Sequence, residues 1–188
     1  VSEADLFLRL CPAPTIGVTG TKGKTTTSSL IAAVLAADES HPAVLGGNIG
    51  IPLVERLPEL TAEYRVVDEL SELQLPTLSR GTTVAVYTNV TSDHLDRHGS
   101  LEGYRAAKRR LAELVDPAGA LILNADDPVV AAVRGVAAQR AGPPERDPHA
   151  AVVVDGQPVR HALAGGHLGE ERGPRQRPAV HVVRVAVD

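Results

Sequence analysis

A single cysteine, Cys11, is the whole thiol content of this 188-residue sequence, so it holds no disulfide framework. No apolar run approaches the roughly 18 residues that a membrane-spanning helix needs, and the N-terminus carries no signal-peptide pattern. These absences predict a reducing, cytoplasmic setting, where the sequon Asn89-Val90-Thr91 bears no glycan. Basic clusters are missing beyond Arg109-Arg110, and the formal net charge is -4. The chain therefore lacks the electrostatic footprint of a nucleic-acid binder. Lysine is also scarce: Lys22, Lys24 and Lys108 are the only three among nineteen lysines and arginines. A compositional bias toward arginine would explain the ratio. A sharper reading keeps lysine where only an amine serves, as a compact point charge or as a group that can lose its proton.

What is present suits one folded domain with a real core, since 43% of the residues are hydrophobic. The expectation is a single unit over residues 1–188, with its core at about 12–140 and a loop-rich tail at 141–188. Strand-like runs fall at Thr15 to Thr19, Pro42 to Leu45, Tyr64 to Leu70, Thr83 to Val90 and Ala120 to Leu123. Several are nearly all apolar, as strands buried on both faces are. Helical stretches lie between most of them, beginning with Thr25 to Ala37. This alternation predicts an α/β fold, a mostly parallel sheet flanked by helices with its ligand crevice at the carboxyl ends of the strands. In the tail, Arg140 to Pro148 reads as a linker and Gly165 to Pro178 as a disordered loop. Ala151 to Val154 and Val180 to Val187 read as a small extra β region or a frayed end.

The densest signal is "VTGTKGKTTT" at residues 18–27, a glycine turn joining the first strand to the first helix. Backbone N–H groups in such a turn, with the helix N-terminus behind them, form a nest for phosphate oxygens. Lys24 is placed to reach the terminal phosphates, and the hydroxyl of Thr25 to bind Mg²⁺. The match to G-x-x-x-x-G-K-[ST] is incomplete, because Val18 stands five residues before Gly23 and Gly17 one residue earlier.

Further along, Asp68 and Glu69 end a strand with side chains on opposite faces, so only one can share the crevice with the phosphate loop. An acid there can hold Mg²⁺ in the manner of a Walker B carboxylate. His94 follows the strand at Thr83 to Val90, where an imidazole could ligate a metal or simply bond at the surface. His94 and His98 have helical spacing, but no H-E-x-x-H glutamate and no cysteine pair support zinc. Tyr104, Ala107, Leu111 and Val115 form one apolar helical stripe on which Lys108 also lies, so Lys108 should point inward. An inward lysine either snorkels over the core or becomes a reactive neutral amine.

The variant turn Gly20-Thr21-Lys22-Gly23-Lys24-Thr25-Thr26 resembles the phosphate loop of the Mur ligases, which couple ATP to amide-bond formation. Further stretches follow in family order: "GGNIGIPL" from Gly46, "ELSELQL" from Glu69, "NVTSDHLDRHGS" from Asn89, "YRAAK" from Tyr104 and "LNADDP" from Leu123. The resemblance spans roughly residues 5 to 130. It implies a P-loop-type sheet, ATP and two Mg²⁺ ions as cofactors, and a nucleotide site made by Gly20, Thr21, Lys22, Gly23, Lys24, Thr25, Thr26 and Asn48. It selects Glu69 with Thr25 for one Mg²⁺, and His94 with Lys108 for the second. Lys24, His94 and Lys108 are then the catalytic residues, with Lys108 carbamylated by CO₂. Glu72 and Leu73 stand where a Ser-Phe pair is usual, so Glu72 should point away from the phosphates or alter the site. Asn124, Asp126 and Asp127 read as structural, capping the next helix at Pro128.

Within the family, the resemblance is strongest to the branch that adds D-glutamate to UDP-N-acetylmuramoyl-L-alanine through an acyl phosphate in peptidoglycan precursor synthesis. Its N-terminal UDP-binding and C-terminal ligase domains would lie outside this chain, leaving the isolated piece inactive and monomeric. Sister ligases adding other amino acids, or glutamates to folate, are the nearest alternatives. A nucleotide-dependent regulatory module without ligase chemistry is the alternative of another class.

Overall fold

Short β-branched runs bounded by proline, glycine or threonine set the strands. The computed structural model describes residues 2–91, 100–124, 126–141, 153–154 and 181–185. Its strands are β1 (Thr15–Thr19), β2 (Ala43–Gly47), β3 (Arg65–Glu69), β4 (Val84–Tyr87), β5 (Ala120–Asn124), β6 (Val153–Val154) and β7 (His181–Val185). They form one sheet in the order β2, β3, β1, β4, β5, β7, β6. All the pairings are parallel. Parallel neighbours need crossovers, which α2 (Lys24–Leu35), α3 (Leu101–Leu114) and α4 (Pro128–Ala141) supply, while α1 (Glu3–Leu10) precedes the sheet.

Side chains alternate across each strand, which divides the interior in two. On one face, Val66 of β3 joins Phe7, Leu53, Leu75, Tyr104 and Leu111 in the larger core, under α1 and α3. On the other face, Val18, Val67 and Val86 lie beneath Ile31, Ala32 and Leu35 of α2. Ser100 caps α3 by accepting from Gly103 N at 3.0 Å, and the expected stripe of Tyr104, Ala107, Lys108, Leu111 and Val115 is buried as one face. Tyr87 clamps this helix to β4: its hydroxyl donates to Lys108 O at 2.7 Å and accepts from Ala112 N at 2.9 Å.

Two expectations need revision. The fourth strand stops at Tyr87, and residues 88–91 leave the sheet to lie against the phosphate loop. The tail strands are not a separate sheet, because β7 pairs with β5 from Ala120↔His181 to Asn124↔Val185 and so covers an edge that would otherwise stay open. The expected linker at 140–148 falls outside the described residues from 142 onward, and the expected loop at 165–178 falls outside them entirely.

Candidate active site

Every candidate residue within the described chain sits at the carboxyl ends of β1, β2 and β3, at the start of α2 or, for Lys108, on α3 after β4. β1 ends at Thr19, and α2 begins at Lys24 with Gly23 as its N-cap. Gly23 has φ +80, a left-handed conformation that a side chain would strain. The first-turn amides of α2 have no intrahelical acceptor by construction, so they face outward beside the positive end of the helix dipole. Thr25 and Thr26 open that turn and are exposed, as is Lys22.

The two other lysines converge. Lys24 Nζ donates to Gly20 O at 3.1 Å and to Thr21 O at 3.2 Å. Lys108 Nζ reaches across from α3 and donates to the same Gly20 O at 2.9 Å and to Thr19 Oγ1 at 3.2 Å. Lys108 is fully buried and lies 5.4 Å from the centre of the Tyr104 ring. Burial, reinforced by the charge of Lys24 and opposed by Glu72 and Glu69, lowers its amine to about 8.

Glu69 is buried at the end of β3. Asn48 Nδ2 donates to its Oε1 at 3.2 Å, and Asn48 N to its main-chain oxygen at 2.8 Å. Its Oε2 is buried without a hydrogen-bond partner. A buried carboxylate oxygen with an unused lone pair suits a hard divalent cation, and Mg²⁺ typically takes few protein ligands beside phosphate and water. Glu69 Oε2 therefore has the chemistry that one Mg²⁺ site needs. His94, expected with Lys108 at a second ion, lies outside the described residues. Among the described residues no three His, Cys, Asp or Glu side chains form a metal-holding group.

Asp68 takes the opposite face from Glu69, as the strand alternation requires, and is buried as well. A Cβ on Gly47, whose φ is +95, would collide with Asp68 Oδ1. Of the two expectations for Glu72, an altered site is the one its position favours: it is 8% exposed and acts electrostatically on Lys108. The turn that carries it is pinned by Gln74 Oε1, which accepts from Ser71 N at 2.9 Å and Ser71 Oγ at 2.8 Å. Asp127 does cap α4, its Oδ1 accepting from Val129 N at 2.9 Å and Val130 N at 3.1 Å.

Three contributors had no role assigned from sequence. Thr19 offers its hydroxyl to Lys108. Tyr104 Oη and Thr21 Oγ1 share a hydrogen bond of 2.8 Å, which ties α3 to the phosphate loop. Asn89 pairs with the main chain of Lys22. Tyr104 was within reach of sequence reasoning, because it stands four residues before Lys108 on the same helical face.

A sequence model of the Mur ligase middle domain matches residues 18–143. The UDP-N-acetylmuramoylalanine–D-glutamate ligase of Symbiobacterium thermophilum is 46% identical over 138 residues, covering 73% of this chain and 30% of that protein. The ligase of the same name from Desulfitobacterium hafniense strain Y51 is 47% identical over 133 residues, covering 70% and 29%. Among solved structures, MurF from Acinetobacter baumannii aligns with a TM-score of 0.56 at 25% identity, covering 70% of this chain and 30% of that one. A pseudomurein peptide ligase type C from Methanothermus fervidus aligns with a TM-score of 0.50 at 27% identity, covering 71% and 28%. The chain thus spans less than a third of the length of the curated relatives it matches. The matched span runs from the end of β1 past the end of α4 and takes in the phosphate loop, Asn48, Glu69 and Lys108, so the chain belongs to the Mur ligase middle-domain family.

Proposed function

We propose that this chain is the ATP-binding middle part of a cytoplasmic ligase that adds D-glutamate to UDP-N-acetylmuramoyl-L-alanine. The observation that carries the reading is the meeting of Lys24 and Lys108 on Gly20 O, at the mouth of a phosphate loop. A nucleotide switch needs the first lysine and has no use for a second, buried amine. The names of the curated relatives favour D-glutamate over the other amino acids of the family. The UDP-sugar and the amino acid are bound by further domains of the intact enzyme, which works as a monomer and needs neither nucleic acid nor membrane. No helix among the described residues is long and apolar enough to cross a membrane.

In this reading the first-turn amides of α2 hold the phosphates, and Lys24 leaves the carbonyls of Gly20 and Thr21 to meet the β/γ-oxygens. Glu69 Oε2 and Thr25 would hold one Mg²⁺, which supplies neutralising charge on the phosphates. Lys108 first gives up the proton of its ammonium form; the neutral amine adds to CO₂, a C–N bond forms, a second proton leaves the nitrogen to solvent, and the resulting anionic carbamate would hold a second Mg²⁺ with His94. The substrate carboxylate attacks the γ-phosphorus and ADP leaves. The amine of D-glutamate then attacks the acyl carbon, phosphate leaves, and the amide remains. The protein's contribution is positioning and charge neutralisation.

The test is ADP release by the full-length protein with ATP, Mg²⁺ and UDP-N-acetylmuramoyl-L-alanine, with and without D-glutamate. Release that depends on D-glutamate supports the reading. Release that depends on another amino acid replaces it with a sister ligase. Mg²⁺-dependent ATP binding without any such release replaces it with the regulatory module.

A further inference from the structure

A primary amide offers one donor and one acceptor side by side, which lets an asparagine pair with a peptide as a neighbouring strand would. Asn89 does this to a single residue of the phosphate loop: its Oδ1 accepts from Lys22 N at 2.9 Å, and its Nδ2 donates to Lys22 O at 2.9 Å. Neighbours add to the same contact. Thr21 N donates to Asn89 O at 2.8 Å, Thr88 Oγ1 donates to Lys22 O at 2.7 Å, and Thr91 N donates to Thr21 Oγ1 at 3.0 Å. The loop is thereby divided. The amides of Thr21 and Lys22 are committed to residues 88–91, and those that open α2 are left toward the crevice.

Residues 88–91 are themselves fixed. Thr88 N donates to Thr19 O at 3.0 Å, Asn124 Nδ2 to Thr88 O at 2.9 Å, and Val90 N to Asp127 Oδ2 at 2.7 Å. The close approach requires a glycine, because a Cβ on Gly20 would collide with Thr88 Oγ1 and come within 3.0 Å of Asn89 O. A glycine-rich loop left to itself would have to be ordered by its ligand at an entropic cost.

We propose that Asn89 is a positioning residue for the phosphate loop: by gripping both polar atoms of the Lys22 main chain it holds the α2 amides converged on one point before a triphosphate arrives. It acts through the loop and touches no phosphate. The inference rests on the ATP-binding reading and adds to it a residue outside the usual glycine, lysine and threonine of the loop.

The loop's grip on ATP precedes the chemical step, so its loosening should appear in ATP affinity first. The experiment measures, in the full-length protein, direct Mg²⁺-ATP binding together with KM for ATP, KM for UDP-N-acetylmuramoyl-L-alanine and kcat. Asn89→Ala is expected to weaken ATP by about 10-fold, the equivalent of one or two net hydrogen bonds. Asn89→Asp is expected to be at least as weak, because a carboxylate oxygen then faces Lys22 O. In both variants KM for the UDP-sugar should stay within about 2-fold and kcat within about 3-fold. Thr88→Val, which removes the hydroxyl's bond to Lys22 O and its longer contact with Thr19 O, should weaken ATP by about 3-fold and stands in for Asn89→Ala if that variant does not fold. Unchanged ATP affinity in a folded Asn89 variant, or in Thr88→Val where it stands in, overturns the assignment, as does an equal loss in every parameter. Weakened ATP binding in a protein that shows no D-glutamate-dependent turnover upholds Asn89 and sinks the ligase reading alone.

Discussion

Lys24 and Lys108 donate to one carbonyl oxygen, that of Gly20, at 3.1 and 2.9 Å. Two ammonium groups meeting at one acceptor repel, and Lys108 has no solvent to relieve it. Burial first, and Lys24 second, therefore bring its amine to about 8. The sign follows: the neutral fraction grows with pH and reaches about one half near pH 8. Only the neutral amine adds to CO₂. Stripping CO₂ from the full-length enzyme is expected to lower kcat, and bicarbonate, added so that dissolved CO₂ is the same at both pH values, to restore it faster at pH 9 than at pH 7. Restoration that is independent of both bicarbonate and pH would remove the carbamate from the mechanism.

Removing either amine tests its role separately. Lys24→Ala deletes the charge nearest the phosphates and is expected to cost at least about 100-fold in turnover. Lys108→Ala should be equally damaging, but a small carboxylate such as formate should recover part of its activity by restoring a negative oxygen in the vacated space. Near-normal turnover in one variant would refute the role of that lysine.

Glu72 supplies a prediction that the family resemblance alone would not. Its carboxylate favours the ammonium form of Lys108, and like charge would also disfavour a carbamate beside it. Both effects point one way. Glu72→Gln should lower the bicarbonate concentration needed for half-maximal activation by several-fold, read from activity titrations at fixed pH. A higher requirement in the variant would mean that Glu72 helps to assemble the site.

The legible parts of this molecule are those set by local spacing. The phosphate loop is contiguous, and the 3.6-residue period put Lys108 on the buried face of α3 beside Tyr104. Strand alternation likewise separated Glu69 from Asp68. What escaped depends on contacts between distant segments. Glu72 is buried because Gln74 folds its turn back on Ser71, and Asn89 meets Lys22 because β4 lies next to β1 in a particular register. The tail strands could be read as strands, but the pairing of Ala120 with His181 spans too much chain for any local pattern to encode.

Asp68 gives the last prediction, and here the pH dependence concerns stability. Both of its carboxylate oxygens are buried without a hydrogen-bond partner. Burial foremost, then the nearby charges of Glu3 and Glu69, raises its carboxyl well above the usual range. While the acid is protonated in both states, the pH-dependent part of its cost is absent and only the burial of an unpartnered neutral carboxyl remains. Above the unfolded value of about 4, the unfolded chain ionises freely and the folded one does not, so stability falls as pH rises toward the folded value. Val66 and Val67 precede Asp68 in β3, and valine at 68 would extend that run with no polar group to desolvate. Asp68→Val is therefore expected to stabilise the protein by about 1–3 kcal/mol at pH 7.5, with the gain shrinking near pH 4 to the smaller part that comes from burying a neutral carboxyl. Urea unfolding of both proteins across that range checks it. A variant that is less stable at pH 7.5, by a margin independent of pH, would mean that Asp68 is held by a favourable interaction and ionised in the fold.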